Sequence, residues 1–138
     1  MRGIFRMRVY RSGKLVETYE DDNLIVDGAR AAVAALIAGE GAEKHIAKIA
    51  FGTNGSVPTP DDTELESAFV KPLSGVSYPK TGHAKFTWQL LANEANGLKI
   101  IEFGLLCKDG TLWARKVREE AIPKASDIAI VGEWIITH

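Results

Sequence analysis

The 138-residue chain has a single cysteine, Cys107, and no apolar run of the length that crosses a membrane. A lone cysteine excludes an internal disulfide framework and a multi-cysteine zinc site, and a membrane helix needs roughly 18 or more apolar residues in a row. Arg2, Arg6 and Arg8 fall where a secretory signal has its apolar region. We therefore expect no membrane association, a chain that stays where it is made, and a Cys107 that packs as a small buried hydrophobe.

An excess of charge of either sign is also absent. Seventeen basic and eighteen acidic residues give a net charge of -1, which removes the bulk electrostatic case for binding nucleic acid. The charges near the N-terminus segregate into a basic and an acidic group, which predicts ion pairs across two neighbouring strands. The basic group is Arg2, Arg6, Arg8 and Arg11, and the acidic group is Glu17, Glu20, Asp21 and Asp22.

The usual catalytic and ligand-binding motifs are missing. His45, His83 and His138 stand at no metal-ligand spacing, and no serine lies in a Gly-x-Ser-x-Gly motif. The glycines of Phe51-Gly-Thr-Asn-Gly-Ser56 lack the Gly-Lys-Ser/Thr of a phosphate loop. The sequence thus predicts no catalytic, metal-binding or cofactor-binding residues and no cofactor.

Two strand carboxylates, Glu102 and Glu133, could in principle form the acid pair of a glycosidase. Edge or outward-facing positions account for both of them, so we expect a protein that is not an enzyme. An enzymatic role stays open only if Glu102 or His83 lines a deep pocket with a convergent partner.

What the sequence does contain is the period-2 alternation of half-buried strands. The pattern predicts seven or eight strands and one good helix in a single domain over residues 1–138: a mainly β fold, at the margin of α+β, built as an antiparallel sandwich. The strand segments are residues 5–9, 15–19, 46–51, 84–90, 98–107, 112–117 and 128–136.

Turn residues separate these strands. Arg11-Ser-Gly-Lys14 and Asp109-Gly110 predict tight hairpins, and Gly132 suggests a β-bulge. Asp61 and Glu64 stand at capping-box spacing after two prolines, which predicts a short helix over Asp62–Ala68. In the strand 98–107, the side chains of Ile101, Phe103, Leu105 and Cys107 are expected on one face.

The main helix is predicted near residues 28–38, with Asp27 as its cap and Gly39 as its end. Its outer face has almost no charge and needs a cover, either from the chain itself or from a neighbouring subunit. Small residues let another backbone approach closely, so this face is the predicted subunit interface of a homo-oligomer. Its residues are Arg30, Ala31, Ala34 and Ala35.

The three tryptophans differ in whether their position in the strand predicts that they face the core. Trp88 and Trp134 share the apolar face of their strands and are predicted core residues, whereas Trp113 follows a hairpin beside Arg115. Trp113 is therefore the candidate exposed aromatic. It supports an alternative function, a carbohydrate-binding sandwich that stacks sugars on Trp113 and an exposed tyrosine.

Six short segments follow one another along the chain: Asn23-Leu-Ile-Val26, Ile49-Ala-Phe-Gly-Thr53, Pro60-Asp-Asp-Thr-Glu-Leu65, Glu102-Phe-Gly-Leu-Leu106, Asp109-Gly-Thr-Leu112 and Ile122-Pro-Lys124. In this order they resemble segments of virion proteins of tailed bacteriophages and prophages. The nearest types are tail-collar, tail-fibre and baseplate-associated modules.

This resemblance implies a non-enzymatic structural subunit of the virion tail, made in the cytoplasm of the bacterial host and assembled with copies of itself or with other tail proteins. Many relatives carry a Gly-Thr-Gly-Thr type turn where this chain has Gly52-Thr-Asn-Gly-Ser56. The long extension of fibre proteins is also missing. That difference favours a connector, baseplate or other tail component over a receptor-binding fibre.

Overall fold

The predicted strands form two antiparallel sheets, which pack face to face as a sandwich with one short helix. The computed structural model describes all 138 residues. The first sheet has the strand order β2-β1-β10-β7-β6 and the second has the order β3-β9-β8-β4-β5. The elements are β1 (Arg2–Arg11), β2 (Lys14–Asp22), β3 (Leu24–Ile25), α1 (Asp27–Ile37), β4 (Ile46–Gly52), β5 (Phe69–Pro72), β6 (Gly75–Ser77), β7 (His83–Leu90), β8 (Lys99–Cys107), β9 (Leu112–Pro123) and β10 (Ile128–Thr137).

Aromatic side chains from both sheets meet in the centre of the sandwich. The Phe5 ring lies 4.8 Å from Phe103 and 5.0 Å from Trp134 between centroids, and Phe51 lies 5.5 Å from Trp88. Such pairs contribute about 0.5–1.5 kcal/mol each beyond the burial of their surface. The predicted core positions of Trp88 and Trp134 are confirmed.

Both predicted hairpins are confirmed. β1 and β2 are joined by Ser12 and Gly13, which have positive φ values of 49° and 78°. β8 and β9 are joined through Asp109 and Gly110, where Gly110 has a φ of 93° that a glycine adopts without strain. These local turn signals therefore identified which strands pair, although the register of both ladders shifts farther along the strands.

The prediction of a bulge at Gly132 is wrong, because the ladder runs unbroken there, with Met7 and Trp88 as its neighbours on either side. The glycine is needed for space instead. A Cβ atom built on Gly132 would lie 2.2 Å from Cζ2 of Trp88, so the indole ring occupies the volume of the missing side chain.

The face assignment in β8 needs one correction. Its pairing with β9 shifts between Ile100 and Glu102, so Ile100 is fully buried in the core and Ile101 is only half-buried. Phe103, Leu105 and Cys107 lie in the core as predicted. The shift changes which residues of β8 face inward on either side of it.

The predicted helix over Asp62–Ala68 is also wrong, since this segment has no helical residues. Ser67 has a φ of 50°, which a right-handed helix cannot contain. Residues 53–68, here called the strap, run instead across the outer face of the second sheet. Leu65 packs there with Ala50 and Leu106, in a small second core separate from the main one.

The main helix begins one residue earlier than predicted, at Asp27, and ends at Ile37 just before Gly39. Val26 occupies the cap position and no side chain caps the helix, so the prediction of Asp27 as the cap is wrong. The Asp27 N–H donates to the Pro60 carbonyl at 2.7 Å, which ties the start of the helix to the strap. The Asp27 carboxylate lies in the first turn, where the helix dipole favours negative charge.

Replacing Gly132 by Ala should lower the free energy of unfolding by about 1–3 kcal/mol, because the new methyl group overlaps the Trp88 ring in a packed core. Urea denaturation measures the change. Gly75→Ala is the matched control in the same sheet, where the nearest atom, Oγ1 of Thr87, lies 3.4 Å from the new Cβ. Equal stability of the two variants would contradict the proposed role of Gly132.

Candidate functional site

A cluster of charged side chains lies buried under the strap and is centred on Glu102 of β8, whose side chain is fully buried. One carboxylate oxygen, Oε2, accepts hydrogen bonds from the backbone N–H groups of Asn54 at 2.8 Å and Glu66 at 2.9 Å. The other, Oε1, accepts from Nε of Arg115 at 2.8 Å. Glu102 thus holds the two ends of the strap against the sheet.

Arg115 of β9 extends this network to the middle of the strap. Its Nη1 donates to Oδ2 of Asp62 at 2.9 Å, and its Nη2 donates to the backbone carbonyl of Asn54 at 2.9 Å. Asp62 also accepts from the Thr59 N–H and hydroxyl, and together with Arg115 these bonds hold the pKa of its carboxyl below the ordinary value against the opposing effect of burial. These hydrogen bonds to the Asp62 carboxylate explain why the segment around Asp61 and Glu64 forms a turn rather than the predicted helix.

The network has the chemistry of a structural clamp. Both oxygens of Glu102 are occupied by hydrogen-bond donors, and three nitrogens of the Arg115 guanidinium are bound. Glu102 does face the outer side of β8, as expected, but it is fully buried because the strap covers that side. Sequence reasoning missed the pair, since Glu102 and Arg115 lie on neighbouring strands and join only when these strands pair.

Glu102 and Glu133 do not form a carboxylate pair. Glu133 pairs in register with Arg6 on the solvent face of the first sheet, where it forms salt bridges to Arg6 and Lys85. Glu102 lies on the outer face of the second sheet, so the packed core separates the two carboxylates. No group of three or more His, Cys, Asp or Glu side chains is arranged to hold a metal ion.

A second buried cation, Lys124, acts in the same way just after the end of β9. Its ammonium donates to the Asn96 side chain at 2.9 Å and to the carbonyls of Ala92 and Ala125 at 3.1 and 3.2 Å. Burial lowers the pKa of Lys124. The lysine fastens the loop between β7 and β8 and presents no free group to a ligand.

The solvent face of the first sheet carries an open depression of about 510 Å³. Arg6 forms salt bridges there to Glu20 and Glu133, so the predicted cross-strand pairing is observed for this arginine. Arg11 pairs instead with Asp127, outside the acidic group of β2. The depression is a polar surface in which Arg6, Glu20 and Glu133 are paired, whereas the exposed Arg8 has no salt-bridge partner.

A more apolar cleft of about 500 Å³ opens between the sheets beside the end of α1. Leu36, Val76 and Tyr78 contribute apolar surface to it, and His83 lies in its wall. Apolar side chains at this cleft are open to solvent: Val76 is 51% exposed and Tyr78 is 76% exposed. His83 has Thr137 as its polar neighbour, with Oγ1 and Nδ1 3.5 Å apart, and the other two histidines, His45 and His138, line the same cleft.

The predicted subunit interface lies on the open side of α1. Arg30, Ala31 and Ala34 are exposed and Ala35 is half-buried, while Ala29 and Ala32 pack inward. The chain therefore leaves the outer face of this helix uncovered. Ile37 is 82% exposed and adds a large apolar side chain to that face.

Trp113 is 4% exposed and belongs to the main core, so the prediction of an exposed aromatic contact is wrong. Because β9 is covered by α1 on one face and by the strap on the other, the residues Leu112 to Arg115 are all buried. The prediction assumed that side chains along β9 alternate between the core and solvent. In this part of the strand neither face is open to solvent.

No helix of the structure is both long and apolar enough to span a membrane. Comparisons with protein-family models, with curated proteins and with solved structures give no match to this chain.

Removing one partner of the Glu102–Arg115 pair should cost about 3–5 kcal/mol of unfolding free energy, because it leaves a buried charge without its partner. We expect this result for Arg115→Met in urea denaturation. The double variant Glu102→Leu, Arg115→Met should recover part of the loss, since both charges are then gone. The control Arg30→Met breaks an exposed pair with Asp27 and should change stability by less than about 1 kcal/mol. A small effect of Arg115→Met would contradict the clamp.

Cys107 should resist thiol reagents in the native protein. Burial raises the pKa of its thiol from 9.0 to about 11, and the thiolate is the reactive form. The folded state holds the proton more tightly, so this group stabilises the fold below pH 9 and its contribution is lost as the pH rises to about 11. Ellman's reagent at pH 8 should label the chain only after unfolding. The exposed control thiol of Val16→Cys should react at once, and rapid native labelling of wild type would contradict the prediction.

Proposed function

We propose that this chain is a non-enzymatic structural subunit of a tailed bacteriophage or prophage particle and that it acts by assembly. The observation that carries the proposal is the uncovered outer face of α1, with Arg30, Ala31 and Ala34 exposed beside an Ile37 that is 82% exposed. A helix face without acidic residues beyond its first turn, and with a large apolar side chain at its end, is better suited to contact another protein surface than to lie wholly against water.

The hydrogen bonding of the buried charged groups supports the same proposal. Glu102, Arg115 and Lys124 are the buried ionic groups with the most contacts, and all three hold loops in place. Their bonding atoms are used within the chain, which is the arrangement of a rigid building block.

The partners proposed are other tail proteins and copies of this chain, and the location proposed is the virion tail, reached after synthesis in the host cytoplasm. The order of short motifs that resembles phage virion proteins supports this setting. Two of these motifs, Pro60–Leu65 and Glu102–Leu106, are the parts that form the strap and its anchor.

Carbohydrate binding is less well supported, because its main aromatic candidate, Trp113, is buried. Tyr78 is exposed but stands without a second exposed aromatic ring to extend a sugar platform.

The proposal is tested on particles. Tailed particles are purified by density gradient from the source bacterium and their proteins are identified by mass spectrometry. The expected result is that this chain is recovered in fixed ratio to the other tail proteins. Its absence from particles that contain those proteins would overturn the proposal.

The helix face is tested by Ala34→Glu, which places a charge in the proposed contact. In a strain that expresses tagged variants, we expect recovery of Ala34→Glu with the particles to fall about tenfold or more, because an unpaired charge buried in a contact costs at least about 1.4 kcal/mol. Ala121→Glu, at an exposed position on β9, is the matched control and should assemble as wild type. Equal recovery of the two variants would remove α1 from the interface.

A further inference from the structure

The two lateral sides of the sandwich differ in chemistry. On one side the edge strand β2 carries Glu17, Glu20, Asp21 and Asp22. Two of these are tied to the second sheet, since Arg118 of β9 pairs with Glu17 and Lys116 pairs with Asp21 at 2.6 Å. This side has a dense set of charges along its free edge.

The opposite side is formed by β5 and β6, where the chain crosses from the second sheet to the first. β6 has the sequence Gly-Val-Ser and contains no charge. Val70, Val76 and Tyr78 are all exposed along this side, at 44%, 51% and 76%. Leu36 of α1 is 40% exposed and lines the adjacent cleft with Val76 and Tyr78.

An edge strand offers unpaired backbone N–H and C=O groups to any other strand, and natural proteins commonly block such edges with charged residues. β2 is blocked in this way, because two copies of it side by side would bring like carboxylates together. Leu15 and Val16 are exposed on β2, but they lie at its turn end and the acidic run follows them directly. β6 pairs with β7 on one side only and has no such block.

Strand direction limits how copies of this sheet can join. The first sheet has five strands with antiparallel neighbours throughout, so its two edges, β2 and β6, run in the same direction. A head-to-tail junction of β6 with β2 of another copy would therefore be parallel, which is the less stable pairing. An antiparallel junction requires a twofold axis that pairs one edge with the same edge of a second copy.

We propose that the β6 edge is a dimer interface, in which β6 pairs antiparallel with β6 of a second copy across a twofold axis. Val76, the middle residue of β6, lies nearest the axis, and Tyr78 packs toward the apolar cleft lined by Leu36. The two first sheets then form one continuous sheet. This inference rests on the proposed function, which makes assembly the role of the chain, and it names the first partner as a second copy.

The test compares two exposed valines on the two edges of the same sheet. Val76 of β6 is 51% exposed and Val16 of β2 is 56% exposed, so Val16→Lys is a matched control for Val76→Lys. In light-scattering chromatography over a wide concentration range, wild type and Val16→Lys should reach twice the chain mass of 15.0 kDa, and Val76→Lys should stay at 15.0 kDa. Thermal unfolding verifies that both variants are folded.

Disulfide trapping gives a second measurement. Paired residues in an antiparallel ladder have Cα atoms about 4.5–5.5 Å apart, which is within the range of a disulfide. Val76→Cys should therefore form a dimer under mild oxidation, whereas Val16→Cys should not. The native Cys107 is fully buried and gives no background.

The inference is overturned if wild type remains at 15.0 kDa throughout, if Val16→Lys dissociates as Val76→Lys does, or if Val76→Cys fails to cross-link. The outcome is separate from that of the particle experiment. If the chain is monomeric in solution but is recovered in tail particles, the β6 dimer is contradicted and the proposed function is not. If the chain forms the β6 dimer but is absent from tail particles, the proposed function is contradicted and the dimer is not.

Discussion

The covered outer face of the second sheet depends on the hydrogen bonds that the buried carboxylate of Glu102 accepts. A fully buried charge is stable only when its hydrogen-bonding capacity is satisfied. Here the two oxygens are bound by the Arg115 guanidinium and by two backbone N–H groups at opposite ends of the strap. The strap in turn covers β8, which is why this strand is buried on both faces over most of its length.

This arrangement makes the two outer faces of the sandwich unequal. The second sheet is covered by the strap, with Leu65 packed over Gly104. The first sheet faces solvent and carries paired charges around Arg6. The apolar surface that remains exposed is concentrated at α1 and at the β6 edge. The physical case for the proposed assembly comes from this distribution, because Glu102, Arg115 and Lys124 are already used to hold loops and the exposed apolar groups are not used by the chain.

Local patterns predicted most of the fold. The alternation of Phe86, Trp88 and Leu90 and the turn at Asp109 and Gly110 identified strands and hairpins correctly, since neighbouring residues determine both signals. The predicted helix was correct to within one residue at each end. The errors occurred where a second segment decides the environment. Trp113 was predicted to be exposed and Asp62 was predicted to start a helix, but other parts of the chain contact both residues.

The sequence by itself determined the class of fold and most of the core, because periodicity reports which side of a strand or helix is apolar. Tertiary structure alone decided that Glu102 and Arg115 form a buried clamp, that residues 53–68 cover the second sheet, and that the β6 edge stays free of charge while β2 does not. The physical reason is that these features depend on which distant segment covers the second face or edge of an element. The residue pattern within one segment does not reveal which distant segment will contact it.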